Sequence, residues 1–199
     1  STIRARINLI LLDVINFERQ YKKIIQKFKP DLILSSNKTF SKLGFDNYVK
    51  TSLFNFLPFK KTNYTQSEID QFSPIVLLGT SGTSGPQKYV GLTHNNLVFN
   101  CNSIKKYLLT DQSTKCINNL PCSYSYGLSV LNTTLSAGGK YFISDEPSIL
   151  RKSFWDDMEQ FQITDFSGVP SVYQDLQKLN LVESMSSSVQ CLTQAGGKL

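Results

Sequence analysis

Residues 75–94 read IVLLGTSGTSGPQKYVGLTH, and this stretch decides how the whole chain is interpreted. The continuous apolar run Ile75–Leu78 is typical of a strand that is buried on both faces. A glycine-rich segment follows it directly at residues 79–88, and a helix is then predicted to begin at Thr93. The order strand, glycine-rich loop, helix predicts a place where backbone N–H groups can gather around an anion.

The loop consists of groups that donate hydrogen bonds to phosphate oxygens. Its glycines let the backbone bend so that several N–H groups converge, and Lys88 adds a positive charge at the far end. A polar surface loop has a similar composition, so the loop residues alone leave both interpretations open. Four hydroxyl side chains add further uncharged donors: Thr80, Ser81, Thr83 and Ser84.

Two common phosphate motifs and one hydrolase motif are excluded. A Walker A loop needs Gly-Lys-Ser/Thr in sequence, whereas Pro86 and Gln87 separate Gly85 from Lys88. The dinucleotide fingerprint Gly-x-Gly-x-x-Gly and the nucleophile elbow Gly-x-Ser-x-Gly do not occur. With His94 as the one histidine, a Ser/His/Asp hydrolase is also a poor match.

Outward from this loop, short apolar runs alternate with amphipathic segments. Residues 7–35 predict a strand, helix, strand unit of a parallel sheet, with the helix capped by Asn16 and ended by Pro30. The alternation continues to the end of the chain and predicts an α/β fold, a mainly parallel sheet with flanking helices. Strands are expected at Ile75–Leu78, Cys116–Leu120, Lys140–Ile143, Ile163–Phe166 and Val189–Thr193, and helices from Thr93, over Leu128–Leu135, over Leu150–Phe161 and from Pro170.

Four segments refine this prediction. The helix from Thr93 should turn Leu97, Cys101, Ile104 and Leu108 to one side, and the helix from Pro170 should turn Val172, Tyr173, Leu176 and Leu179 inward. Residues 36–73 are rich in Asn, Lys, Thr and Ser, and we interpret them as an irregular excursion with a strand near Tyr48–Phe54. Residues 184–188 are expected to be a loop.

Composition limits the classes of function. The 199 residues carry 21 basic and 15 acidic side chains, a formal charge of +6, but the basic residues are dispersed pairs rather than a stripe. We therefore interpret the charge as a solvated surface rather than a nucleic-acid site. Four cysteines without Cys-x-x-Cys spacing exclude an obvious zinc site and suit a reducing cytoplasm. No apolar run is long enough to predict a membrane span.

The loop resembles that of the adenylate-forming family: acyl-CoA synthetases, luciferases and the adenylation domains of peptide synthetases. The family's loop reads Thr-Ser-Gly-Thr-Thr-Gly-x-Pro-Lys-Gly and is followed by Leu-Thr-His, as at Leu92–His94 here. Gln87 and Tyr89 depart from it, where the family has Pro and Gly. The resemblance implies that ATP phosphates are bound by Thr80, Ser81, Gly82, Thr83, Ser84, Gly85 and Lys88, with Lys88 also catalytic.

Three downstream segments extend the resemblance in the same order. Residues 120–128, LPCSYSYGL, resemble Leu-Pro-x-Phe-His-x-x-Gly-Leu, which implies an acyl pocket lined by Tyr124, Tyr126 and Gly127. Residues 166–170 resemble the family's Gly-Val-Pro segment. Residues 195–199, AGGKL, resemble the turn that lies against adenine, which implies nucleotide contacts at Gly196 and Gly197. Without the resemblance, Tyr124 is a packed aromatic, the two glycines are an ordinary turn, and His94 caps the helix or packs beneath the loop.

The family's reaction joins a carboxylic acid to AMP at the expense of ATP with Mg²⁺, then transfers the acyl group to a thiol of CoA or of an acyl-carrier protein. The motifs that hold magnesium and ribose, and the C-terminal domain, are not found in residues 1–199. We therefore expect a fragment of one N-terminal domain, inactive alone and prone to self-association through its last strand. The alternatives are a catalytically silent nucleotide-binding module and, on the charge only, a basic domain that binds nucleic acid or a partner.

Overall fold

The computed structural model describes residues 9–12, 23–30, 32–35, 49–50, 57–60, 73–80 and 88–198. The chain divides into a larger unit, Ser1–Leu11 with Gln71–Leu199, and a smaller unit, Leu12–Asp70. Loop residues 81–87 lie outside the described residues, as does the predicted helix start after Asn16. The proposal that residues 1–199 belong to one domain stays a prediction.

Ten strands occur in the described residues. In chain order they are β1 (Leu9–Leu11), β2 (Leu32–Ser35), β3 (Val49–Lys50), β4 (Leu57–Lys60), β5 (Val76–Gly79), β6 (Tyr89–Leu92), β7 (Lys115–Ile117), β8 (Lys140–Phe142), β9 (Asp165–Gly168) and β10 (Cys191–Gln194). The helices are α1 (residues 23–28), α2 (His94–Leu108), α3 (Ser125–Ser136), α4 (Lys152–Gln160) and α5 (Pro170–Lys178), with a 3₁₀ turn at Leu181–Ser184. None of these helices is long and apolar enough to cross a membrane.

The larger unit contains a four-stranded sheet in the order β10-β9-β7-β8, in which all pairs are parallel. This confirms the predicted α/β fold with a mainly parallel sheet. Its register places Thr193 beside Ser167, and Asp165 beside both Cys191 and Cys116. The carboxyl ends of β9 and β10 therefore meet at one edge, the usual location of ligand sites in parallel sheets.

A second sheet of the larger unit has the order β1-β5-β6. Strand β5 pairs in parallel with β1 and antiparallel with β6. The glycine-rich loop is thus the connection of a β-hairpin, with Leu78 opposite Val90 and Gly79 opposite Tyr89. Strand β6 was not predicted, because YVGL is a short run next to a loop and has no strand signal of its own.

The helix boundaries follow from capping. Thr93 caps α2: its hydroxyl accepts a hydrogen bond from the Asn96 N–H at 3.2 Å, and the Asn96 side chain accepts one from the Thr93 N–H at 3.0 Å. This reciprocal arrangement satisfies two donors at the helix start. His94 is the exposed first residue of α2 and Thr93 is its cap, so the expectation that His94 caps the helix is wrong. The alternative, packing beneath the loop, involves residues outside the described ones and stays a prediction. Pro170 occupies the first turn of α5 as predicted.

The main core lies between the parallel sheet and α4 with α5. Phe154, Met158, Ile163 and Phe166 are fully buried there, and Phe154 and Phe166 meet edge to face. Phe166 belongs to β9, and side chains alternate between faces along a strand. Asp165 and Ser167 therefore lie on the face opposite this core. One inward assignment was wrong: Leu179 follows α5 and is 52% exposed.

The smaller unit corrects the strand, helix, strand prediction for residues 7–35. Strand β2 pairs antiparallel with β4, which also pairs antiparallel with β3, whereas β1 joins β5 in the other unit. An apolar run predicts a buried strand but not its partner, and this is why the topology was wrong. Residues 36–73 contain β3, inside the predicted strand at Tyr48–Phe54, and also β4.

Candidate active site

A cleft of about 1010 Å³ opens in the larger unit. Its walls come from the β5–β6 hairpin, from α2 and α3, and from the carboxyl ends of β9 and β10 with the following turn. Apolar side chains such as Leu97 and Ile104 line the α2 side, whereas polar side chains such as Ser167 and Thr193 line the sheet side. The cleft can therefore receive a ligand that is part apolar and part hydrogen-bonding.

The two ends of the glycine-rich loop are hydrogen-bonded to each other beside this cleft. The Thr80 N–H donates to the Lys88 carbonyl at 2.8 Å, and the Thr80 hydroxyl donates to the same oxygen at 3.3 Å. Leu78 and Val90, which face each other across the same hairpin, line the cleft. Lys88 is exposed and forms no ion pair with any described residue. Within the part of the chain that the structure describes, the hairpin therefore presents a basic side chain without an acidic partner at the end of the loop.

Tyr124 and Gly196 come from distant parts of the chain and meet in the cleft wall. Gly196 has φ of +96°, and a Cβ at this position would lie 2.9 Å from the Tyr124 Oη. Only glycine combines this backbone conformation with so close an approach. A Cβ on the neighbouring Gly197 would lie 3.4 Å from the Cγ of Pro170. The fold thus juxtaposes the residue assigned to the acyl pocket with one assigned to the nucleotide.

Tyr126 and Gly127 have different surroundings. The Tyr126 hydroxyl forms a 2.7 Å hydrogen bond with the Thr193 hydroxyl and lines the cleft. Gly127 is buried in the first turn of α3, where a Cβ would overlap the Pro121 carbonyl oxygen and lie 2.8 Å from that of Leu120. The absence of a side chain at Gly127 lets α3 begin tightly against the preceding loop. Its assignment to the acyl pocket stays a prediction, because it is not among the cleft-lining residues.

A hydrogen-bonded network on the sheet side was not predicted from the sequence. The Ser167 and Thr193 hydroxyls lie 2.8 Å apart, and the Tyr173 hydroxyl donates to the Thr193 carbonyl at 2.7 Å. Asn119, just after β7, donates to the Ser167 carbonyl. The available signal was polar residues at the ends of apolar strands, but only the register shows that they are neighbours.

Burial raises the pKa of two groups near this network, the Tyr173 hydroxyl and the Cys116 thiol. Burial raises the pKa of the Tyr173 hydroxyl, and the nearby Tyr126 raises it further. Burial raises the pKa of Cys116 to about 12, despite the Thr134 hydroxyl that lies 3.2 Å from its sulfur. The Tyr173 hydroxyl and the Cys116 thiol therefore act as neutral hydrogen-bonding groups. Among the described residues no group of three or more His, Cys, Asp or Glu could hold a metal ion.

Comparison with known proteins identifies the family. The family model described as AMP-binding enzyme matches residues 8–199, nearly the whole chain. The chain therefore belongs to the AMP-binding enzyme family, the adenylate-forming proteins that the loop resembles. This confirms the family interpretation of the loop.

Curated relatives include CoA ligases. An oxalate–CoA ligase of Arabidopsis thaliana is 28% identical over 127 residues, which cover 57% of this chain and 25% of the relative. A long-chain-fatty-acid–CoA ligase of Xenopus laevis is 27% identical over 178 residues, 86% of this chain and 22% of the relative. The chain thus spans a quarter or less of the length of these relatives.

Solved structures share the fold. The o-succinylbenzoate CoA synthetase MenE from Bacillus subtilis, in complex with ATP and magnesium ion, superimposes with a TM-score of 0.57 at 22% identity, over 70% of this chain and 29% of that one. VinN in complex with L-aspartate superimposes with a TM-score of 0.57 at 21% identity, over 68% of this chain and 34% of VinN. At these identities the similarity establishes the α/β fold.

Proposed function

We propose that the protein carrying this chain uses ATP to activate a carboxylic acid as an acyl-adenylate. It then passes the acyl group to a thiol, either of CoA or of the phosphopantetheine on an acyl-carrier protein. The observation that carries the proposal is the close contact of Tyr124 with Gly196 in a cleft that also borders the glycine-rich hairpin. The segments assigned to acid and adenine thus meet in one cleft, which is also lined by the strands on either side of the loop assigned to phosphate.

The nucleotide side of the proposal uses backbone groups and one charge. The absence of a Cβ at Gly196 lets its backbone lie close to the Tyr124 hydroxyl, and we assign the adenine of ATP to the turn formed by Gly196 and Gly197. The loop from Thr80 to Lys88 would hold the β- and γ-phosphates, with Ser81, Gly82, Thr83, Ser84 and Gly85 as further contacts. The Tyr89 departure from the family pattern lies in β6, paired with Gly79, and is therefore outside the loop's turn.

In the proposed reaction the acid's carboxylate displaces pyrophosphate from ATP. Negative charge builds on the leaving pyrophosphate, and a fixed cation there stabilises the transition state. Lys88 is suited to this because no described residue neutralises it. Tyr124 would line the acid's pocket and lie at the entry of the thiol. Magnesium would assist the phosphates when bound, and we assign it no ligand among the described residues.

Lys88→Ala tests the proposal in the natural protein. A charge-assisted hydrogen bond contributes about 1.5–3 kcal/mol, so acid-dependent exchange of pyrophosphate into ATP should slow by ~10- to ~150-fold. Thioester formation from supplied acyl-adenylate should change less, because that step does not use the β- and γ-phosphates. Lys106→Ala, which removes an exposed lysine from the last turn of α2, is the matched control and should retain the wild-type rate.

The assay needs a panel of fatty, aryl and amino acids, since the proposal does not fix the acid. Wild-type exchange rates in Lys88→Ala would contradict the role of this lysine. We also propose that the isolated 199 residues do not form acyl-adenylate, because the family's ribose and magnesium motifs are not found among them. Rapid exchange by these residues alone would contradict that part.

A catalytically silent nucleotide-binding module is the second candidate. The observation that favours it is Gln87, where the family has Pro just before the lysine. Binding of ATP in a calorimeter, without exchange for any acid of the panel, would support this candidate over the enzyme.

A further inference from the structure

One side chain sets the charge of the cleft. Of the described residues that line it, Asp165 is the single one with a carboxyl, amino, guanidinium or imidazole side chain. It begins β9, on the face opposite the core, with Cys116 on one side and Cys191 on the other. The described part of the cleft wall therefore presents one carboxyl group and no basic side chain.

The hydrogen-bond partners of Asp165 are neutral. The Thr164 hydroxyl donates to its Oδ2 at 2.6 Å. The Cys191 thiol is its other partner; burial, the Asp165 charge and this hydrogen bond together raise the pKa of that thiol. No described residue forms an ion pair with Asp165. A carboxylate accepts about four hydrogen bonds, so about half of its capacity remains free.

A second polar group in the same cleft wall lacks a partner. Thr133, on α3, is 3% exposed, and its hydroxyl has no hydrogen-bond partner among the described residues. Its neighbour Thr134 contacts Cys116, which pairs with Asp165. Buried hydroxyls are nearly always hydrogen-bonded, so the Thr133 hydroxyl offers a polar ligand in the cleft a hydrogen-bonding group.

We propose, on the basis of the function proposed above, that the acid accepted by this cleft carries a positively charged amino group, and that Asp165 binds it. Asp165 lies two residues before Ser167, a distance of roughly 6–7 Å along the strand. Tyr126 is hydrogen-bonded to Thr193 in the network on the sheet side, and the Tyr124 hydroxyl lies at Gly196, beyond the end of β10. The amino group must therefore be separated from the reacting carboxyl by several bonds, as in an ω-amino acid.

Matched pairs of acids test this in the natural protein. In each pair the ammonium group is replaced by a methyl group: 3-aminopropanoic with butanoic acid, 4-aminobutanoic with pentanoic acid, and 6-aminohexanoic with heptanoic acid. We expect the amino acid of at least one pair to support pyrophosphate exchange ~10- to ~150-fold better in kcat/KM than its neutral partner, as for a charged hydrogen bond. Preference for the neutral acid in every pair would overturn the inference and leave the proposed function intact.

Variants then assign the preference to Asp165. Asp165→Asn keeps the shape of the side chain and removes its acidic group, so the ratio of kcat/KM for the amino acid to kcat/KM for its neutral partner should fall to within a few fold of 1. Asp165→Glu should retain part of the preference for the amino acid. Asp156→Asn removes an exposed carboxylate on α4, 3.7 Å from Lys152, and should leave the preference unchanged. An unchanged preference in Asp165→Asn would also overturn the inference. If Asp165→Asn does not fold, the wild-type comparison and Asp165→Glu decide. Failure to exchange with every acid of the wider panel would instead overturn the proposed function, and this inference with it.

Discussion

Gly196→Ala separates backbone strain from contact with the site. Gly196 has a positive φ of +96°, and a Cβ there would lie 2.9 Å from the Tyr124 hydroxyl. Gly138, in the turn after α3, offers a matched control because its φ is +80° but its Cβ would meet only Gln112 at an ordinary 3.7 Å. Both alanine variants impose an unfavourable φ, and only one of them presses on Tyr124.

The cost to folding should be similar for the two variants. Positive φ costs a non-glycine residue about 1–2 kcal/mol, which for a chain of this size lowers the Tm by roughly 2–8 °C. The contact with Tyr124 adds little to that, because the hydroxyl is the far end of a side chain that can move. Urea unfolding followed by the fluorescence of Trp155, which is buried in the core, measures this cost.

The cost to binding should differ between the two variants. In Gly196→Ala, the displaced Tyr124 and the added methyl group should weaken ATP binding on the order of 10-fold, since a misplacement of 1 Å can cost about 100-fold. Gly138→Ala should bind ATP as the wild type does. Tyr124→Phe removes the contacting oxygen and should recover part of the affinity in the double variant. Equal ATP affinities for the two alanine variants would refute the placement of Gly196 at the nucleotide.

Three further predictions follow from the structure. Tyr124→Ala should change the choice among carboxylic acids, by ~10- to ~200-fold in exchange rates, more than it changes ATP affinity; an unaltered acid profile with a lower Tm would assign Tyr124 to packing instead. Burial holds the pKa of Cys116 at about 12, above its ordinary value near 9, so the thiolate forms more easily in the unfolded chain. The free energy of unfolding should therefore not depend on this thiol below pH 9, and it should fall by up to about 1.4 kcal/mol per pH unit as the pH rises from 9 to 12. In urea unfolding, Cys116→Ala should make the free energy of unfolding fall less steeply over this pH range. Strand β10 pairs only with β9 among the described residues, so the 199-residue chain should self-associate as its concentration rises in sedimentation experiments, and a strictly monomeric chain would contradict this.

The sequence determined the elements whose signals are local. Thr93 and Pro170 fixed the starts of two helices, because a capping hydroxyl and a fixed φ act within one turn. The apolar runs at β5, β7 and β9 located buried strands for the same reason. The family also followed from adjacent residues, those of the loop from Thr80 to Lys88.

Pairing and proximity were decided only by the tertiary structure. The partner of β2 is β4 rather than β1, and no local pattern specifies a partner, because register depends on packing against distant strands. Likewise Ser167 and Thr193 are polar residues in apolar surroundings until the register places them side by side, and Asp165 becomes a cleft charge only when β9 turns it away from the core. Tyr124 and Gly196 could be assigned separate roles from sequence, but their contact exists because the turn after β10 folds back onto the start of α3.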